Sequence, residues 1–338
     1  MLGGRHQRAD YQAMNRRALL TSALALACTP GAVRTASAQA GSSRPMRVLV
    51  PLAPGGAVDA YARLIADHMA RTLGRVIIVE HKPGATGNVG TQLVAREPAD
   101  GNLILVTTQA MTEINPSVGE PKWSLDDFIP LIRGVQAPLV LVANPAVPAK
   151  TLDELVAWIR KNPGKLSYSS YNAGTPSHFL GFQLNQSFGL DLIHVPAKGS
   201  GYQATDIMAG HVLFGFAQVQ SSLPFLQDGK LNAIAVTSAG RSRFLPATPS
   251  FAELGHPDFT TYVWFGLMVR SGTPAAAVEV ILNAAKAAHA DPDVRAKLEL
   301  QGFDVSGETG PQFAADIRAQ AARWARLVKA SGFKGDGG

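Results

Sequence analysis

Strand-like and helix-like segments alternate along this chain, twice over, and that alternation restricts the fold more than any other feature. RVLVPL (47–52) reads as a buried strand, residues 58–73 as an amphipathic helix and RVIIVE (75–80) as a second strand. Residues 88–96 read as a short helix with Asn88 as its N-cap, and NLILVTT (102–108) as a third strand. FIPLIRGV and PLVLVANP, over 128–145, read as two further strands. Thr151 opens a helix with Glu154 three residues on, the pattern of a capping box. The alternation then restarts, with strands over 165–170, 191–196, 211–218 and 232–238 and helices over 176–188, 201–209 and 221–227. A return strand, TYVWFGLMVR (261–270), precedes helices over 274–289, 293–301 and 311–331.

Such a pattern predicts an α/β fold with largely parallel sheets and crossover helices. The chain leaves the first sheet near residue 140 and returns near 262. The expected domains are therefore 44–140 plus 262–338, and 141–261, joined by two hinge strands as a clamshell. A chain of 338 residues that is 46% hydrophobic is long enough to fill two cores. Open α/β sheets bind ligands at the carboxyl ends of their strands, and in a clamshell those ends face one another across a cleft.

Residues 1–38 have a different character. Arg16 and Arg17 precede a short apolar segment, Ala18 to Ala27, and Ala36-Ser37-Ala38 forms an A-x-A site. The pattern is that of a secretory signal peptide, with an apolar segment too short to span a bilayer. The arginine pair fits twin-arginine or general secretory export. Without this leader the charge balance falls from 31 basic and 25 acidic residues to 26 and 24. No basic patch remains to suggest nucleic acid. The one cysteine, Cys28, also lies in the leader, so thiol catalysis and cysteine metal sites are not expected after export.

The loops that would face the cleft are LAPGGAVD (52–59), TQAMTE (108–113), SSYNAGTPSH (169–178), PAKGSG (196–201) and AQVQSS (217–222). They are rich in glycine, hydroxyls and amides and poor in charge. Gly55 and Gly56 allow close backbone approach, and the N–H groups that open the next helix offer donors to an anion. Asp59, in the first turn of that helix, reads as a helix-capping carboxylate. There is no G-x-S-x-G elbow, no phosphate-binding G-x-x-x-x-G-K-[ST] and no H-E-x-x-H. His178 and His194 lie near cleft loops but read as structural, and no residues have metal-ligand spacing. No catalytic residue, metal or cofactor is expected.

VPLAPGGAVDAYARLIADHM, VEHKPGATGNVGTQLVAREPADGNLIL, NPGKLSYSS with GTPSH, HVPAKGSGYQATDIMAGHV and LQDGKLNAIAVTSAGRS resemble the Bug (TctC-like) family, periplasmic solute receptors of tripartite tricarboxylate transporters. The resemblance runs through nearly all of residues 44–333. It implies a two-domain periplasmic-binding-protein fold, a Venus flytrap of type II character. It implies binding of a small organic carboxylate and delivery to the membrane permease subunits. It also implies a monomer in the periplasm that is not an enzyme. By matching position, the carboxylate-binding turn falls on Pro54, Gly55, Gly56, Ala57 and Val58. The loop after the third strand maps to Thr108, Gln109 and Ala110, and the second domain's grip to Ser170, Tyr171, Asn172, Ala173, Thr175 and Ser177. Three positions depart from the family pattern. Ala197 stands where relatives commonly carry tyrosine, Tyr171 where they often carry a small residue, and Ala217 where they often carry aspartate. These departures imply a reshaped pocket, less suited to an amino acid, with an apolar or aromatic ligand body against Tyr171. Two other readings stay open from sequence: a ligand-sensing subunit for a signalling partner, and a periplasmic enzyme acting on a carboxylate.

Overall fold

In the computed structural model, residues 44–118 and 121–335 are described; the leader read over 1–38 lies outside them. The first half begins with β1 (Met46–Val50), α1 (Ala57–Leu73), β2 (Ile77–His81), α2 (Asn88–Arg96) and β3 (Leu103–Thr108). Tyr61, Ile65 and Met69 stand at i, i+4 and i+8 on α1 and are all buried, so one stripe of the helix faces the sheet. Gly74 ends α1 in the left-handed conformation, with φ of +58°, a position glycine fills without strain.

A long strand, β4 (Phe128–Ala143), follows, then α3 (Leu152–Arg160), β5 (Ser167–Ser170), α4 (Pro176–Phe188), β6 (Ile193–Pro196) and α5 (Ser200–Met208). Next come β7 (Phe214–Gln218), α6 (Val219–Gln227), β8 (Asn232–Val236) and the return strand β9 (Tyr262–Arg270). The chain closes with α7 (Ala275–Ala290), α8 (Pro292–Leu300), β10 (Asp304–Thr309) and α9 (Gly310–Ser331).

Strand order among the described residues is β2-β1-β3-β9-β4-β7-β5-β6, with β8 and β10 also paired to β4. β1 runs parallel to β2 and β3, and β5 parallel to β6 and β7, whereas β4 and β9 are antiparallel to their neighbours. The result is a mixed α/β clamshell of two domains joined by hinge strands. β4 makes the crossing: residues through Pro138 pair with β9, and Leu139 to Ala143 pair with β7 and β8. Sequence reading divided β4 into two strands. The chain instead stays extended through Gly134 and Pro138, and Pro138, which has no N–H, falls where the ladder changes partner.

Two more expectations are corrected. Asn88 is the first residue of α2 rather than its cap; Gly87 precedes it, and the Asn88 side chain accepts the Trp123 indole N–H at 3.1 Å. β10, DVSGET, was not anticipated, because its polar residues and central glycine carry little β propensity. It forms as a half-buried strand against β4, with a register shift between Val305 and Glu308.

Candidate ligand-binding cleft

β1 delivers the chain into Pro51–Gly56, where Gly55 has φ of +88° and Gly56 caps α1 without a side-chain bond. Asp59 Oδ2 accepts the Gly55 N–H at 2.9 Å, while Oδ1 meets His81 Nε2 at 2.8 Å and Arg63 Nε at 2.9 Å. Burial opposes the Asp59 charge, but the Gly55 N–H, Arg63 and His81 outweigh it and hold the carboxyl below its ordinary range. This turn has a consequence for binding. Pro54 has no N–H and that of Gly55 is already engaged, so the donors left for a ligand are the first N–H groups of α1.

From the second half, Ser170 ends β5 and its hydroxyl donates to Asn172 O at 2.9 Å. The Thr175 hydroxyl donates to the same carbonyl at 2.6 Å and makes no capping bond to α4, whose first position is Pro176. The Gly199 N–H donates to Tyr171 O at 2.8 Å and leads into α5. Gln218 precedes α6.

These segments surround a cavity of about 270 Å3. Gly56, Ala57 and Val58 line it from the first turn. Thr108, Gln109 and Ala110 line it from the end of β3, and Tyr171, Asn172 and Thr175 from the second half. The other nominated residues do not reach it. Pro54 and Gly55 are outside the lining. Ser170 and Ser177 are fully buried, the latter donating to Phe216 O. Ala173 and Ala197 are half-buried beside the lining loops, with the Ala197 N–H on Ser170 O. Ala217 packs with Val140, Val142 and Ile207 in an apolar cluster.

Several lining residues were not nominated. Leu52, Ala53, Met111, Gly199, Ser200 and Gln218 lie in loops already assigned to the cleft, next to the nominated positions. Thr86, Val263 and Phe265 were missed altogether. Val263 and Phe265 alternate on β9, so recognising that strand as the cleft floor would have supplied them. Among the described lining residues none is charged. The larger hollows, of about 360 and 470 Å3, lie at Arg44–Leu103 and beside α6, and neither collects helix starts.

A second layer supports the cleft loops. Gln109 Nε2 donates to Thr261 Oγ1 at 2.9 Å, and Gln109 Oε1 is buried without a partner. His194 Nε2 meets Ser170 Oγ at 2.8 Å, and the Gly174 N–H donates to His178 Nδ1 at 3.2 Å. The two rings stack with centroids 3.8 Å apart. Burial pushes both down to about 4, helped at His178 by His194. Both imidazoles are therefore neutral, as structural supports of the loop should be.

Against known proteins, the family described as "Tripartite tricarboxylate transporter family receptor" matches residues 61–333. Protein BugT of Bordetella pertussis is 31% identical over 333 residues, covering 95% of this chain and 99% of the relative. Rpa4515 of R. palustris, solved with adipate, is 27% identical with a TM-score of 0.76, covering 86% of this chain and 98% of that one. MatC of Rhodopseudomonas palustris, solved with bound malate, is 28% identical with a TM-score of 0.72, covering 85% and 99%.

Proposed function

The chain belongs to the tripartite tricarboxylate transporter (TctC/Bug) receptor family, a family of periplasmic solute receptors rather than enzymes, and from that premise we propose that it binds a small organic carboxylate in this cleft. In this reading residues 1–38 direct export, the domains 44–140 plus 262–338 and 141–261 close on the acid as a monomer, and the closed form hands it to the membrane permease.

One observation carries the reading: the starts of four helices converge on an uncharged cavity. Gly56 precedes α1, Thr175 α4, Gly199 α5 and Gln218 α6, and all four line the cavity without a side-chain capping bond. A helix start presents N–H groups without intrahelical partners and the positive end of a macrodipole, although at α4 Pro176 supplies no N–H. Four of them with no competing acid favour an anion, and a carboxylate is an anion with hydrogen-bond acceptors. α1 belongs to the first half and α4, α5 and α6 to the second, so an acid bridging them would favour closure. The relatives solved with adipate and malate support the ligand class.

The test is a thermal-shift screen with aliphatic dicarboxylates, citrate, acidic amino acids and aromatic acids. A ligand at 100 times its dissociation constant adds about 2.7 kcal/mol, a clear shift. A hit among the acids supports the reading. Silence across the panel, with no acid released from the denatured protein in mass spectrometry, overturns it.

A further inference from the structure

Thr86 sits in a backbone conformation that its own side chain opposes. Gly84, Ala85, Thr86 and Gly87 have four consecutive positive φ values, +142°, +45°, +53° and +96°. Glycine adopts such angles freely, while a β-branched residue there is a steric outlier.

The turn is held from several sides. Asn115 Nδ2 donates to Thr86 O at 2.9 Å, and Thr91 Oγ1 to Gly87 O at 2.9 Å. Gly87 packs so closely that a Cβ there would stand 2.5 Å from Met111 Cε. A Cβ on Gly90 would stand 2.6 Å from Pro51 Cβ. Met111 follows the Thr108–Ala110 loop and Pro51 follows β1, so the cleft loops themselves fix the strained turn. Thr86 is exposed and lines the cavity together with Thr108 and Met111. Its carbonyl is engaged by Asn115, whereas its hydroxyl has no protein partner among the described residues.

We propose that Thr86 is a ligand-contacting specificity residue, whose hydroxyl donates a hydrogen bond to an oxygen of the bound acid across the cavity mouth. Glycine would satisfy the backbone at this position, and threonine adds a hydroxyl at a steric penalty. Strain of this kind persists where the surroundings over-determine it, and it clusters at ligand sites. The inference rests on the carboxylate reading above and adds to it a residue outside the anion-binding helix starts.

Three variants separate the contributions: T86G, T86S and T86V. The melting temperature without ligand and the affinity for the tightest acid of the screen are measured for each, with adipate and malate as fixed probes. T86G is expected to melt about 2 °C higher, because strain is relieved, and to bind about tenfold more weakly, because a hydrogen bond is lost. T86S, which returns the hydroxyl, is expected to recover most of that affinity. T86V keeps the branched shape and is expected to lose affinity without gaining stability, so it tests the hydroxyl even if T86G fails to fold. Unchanged affinity in T86G or T86V, while the wild type binds acids, overturns this inference alone. A lower melting temperature in a folded T86G overturns the strain argument. A wild type that binds no acid overturns the carboxylate reading and this inference with it.

Discussion

Trp264 on the hinge strand β9 donates its indole N–H to Glu113 Oε1 at 2.8 Å. The second oxygen accepts the indole of Trp324 on α9 at 3.1 Å. Glu113 belongs to the π-helical turn Ala110–Ile114, directly after the cleft residues Thr108 and Gln109. One buried carboxyl thus ties the cleft loop, the hinge strand and the last helix together.

That placement makes stability depend on pH in a defined direction. Burial pushes Glu113 up to about 8, against the pull of Trp264, Gln109 and Arg133. Arg133 of β4, Asp316 and Arg323 of α9 are the charged groups that act on it, and Glu308 of β10 pairs with Arg133. The unfolded chain releases this proton near 4.5, while the folded chain keeps it until about 8. The folded state therefore holds the extra proton between those values, and this contribution falls as pH rises through the window. E113Q, which cannot ionise, should melt below the wild type at pH 5, having lost one indole bond. The gap should narrow steadily toward pH 8. A gap constant across pH 5–8 would count against the assignment.

The stacked pair His178 and His194 should act with the opposite sign. Their folded values, near 4, lie below the ordinary 6.5. Between 6.5 and 4 the unfolded chain takes up protons that the folded chain refuses, so stability is complete above 6.5 and is lost as pH falls. H178F keeps a ring against His194 and Phe333 and removes one titrating group. Its melting temperature should fall less steeply than the wild type's between pH 6.5 and 4.5. The buried His289, also near 4, should keep some slope in both proteins. Parallel acid slopes would show that His178 carries none of the effect.

Much of this fold was legible because hydrophobic periodicity repeats and is local. The βα units and the crossing near residue 140 follow from strands such as LILVTT and helices such as Ala57–Leu73, whose faces are set by their own residues. What stayed hidden depends on partners distant in sequence. β10 is a strand because β4 offers an edge, not because DVSGET favours one. In the cleft, the loops with glycine and hydroxyl signatures could be read. Val263 and Phe265 follow only once β9 is placed against the cleft, since an apolar strand does not itself mark which of its faces meets a cavity. Thr86 was not nominated, because a positive φ at threonine has no sequence signature.

Phe333, just beyond α9, packs edge-on against His178 at 5.1 Å and against Phe179 at 5.8 Å. A Cβ on Gly174 would come within 3.1 Å of its ring. α9 is rooted in the other half through Trp324 and the Arg133–Asp316 ion pair, so the chain end braces the loop that carries Asn172 and Thr175. F333A removes a half-buried ring and is expected to cost about 1–3 kcal/mol, below the 3–5 of a fully buried phenylalanine. It should also weaken the tightest acid, because the loop is held less firmly. Denaturant unfolding and titration calorimetry measure the two effects. Full stability and unchanged affinity would mean the ring does not brace the loop.

Ligand choice between two acids of the same carbon skeleton gives the sharpest check on the cavity's chemistry. Glutarate and glutamate differ by one ammonium group. No aspartate or glutamate lines the cavity among the described residues, and Ala217 sits in an apolar cluster. A bound glutamate would therefore place its ammonium beside the positive ends of four helices, with no carboxylate to receive it. Burying such a group without a charged partner forfeits well over the ~1.4 kcal/mol that a tenfold change in affinity represents. Glutarate is expected to bind at least about tenfold more tightly than glutamate. Competition calorimetry with both acids at pH 7 reads the ratio directly. Glutamate binding as tightly as glutarate would require an ammonium acceptor in the cleft and would overturn the reading of the cavity as an anion site without acidic side chains.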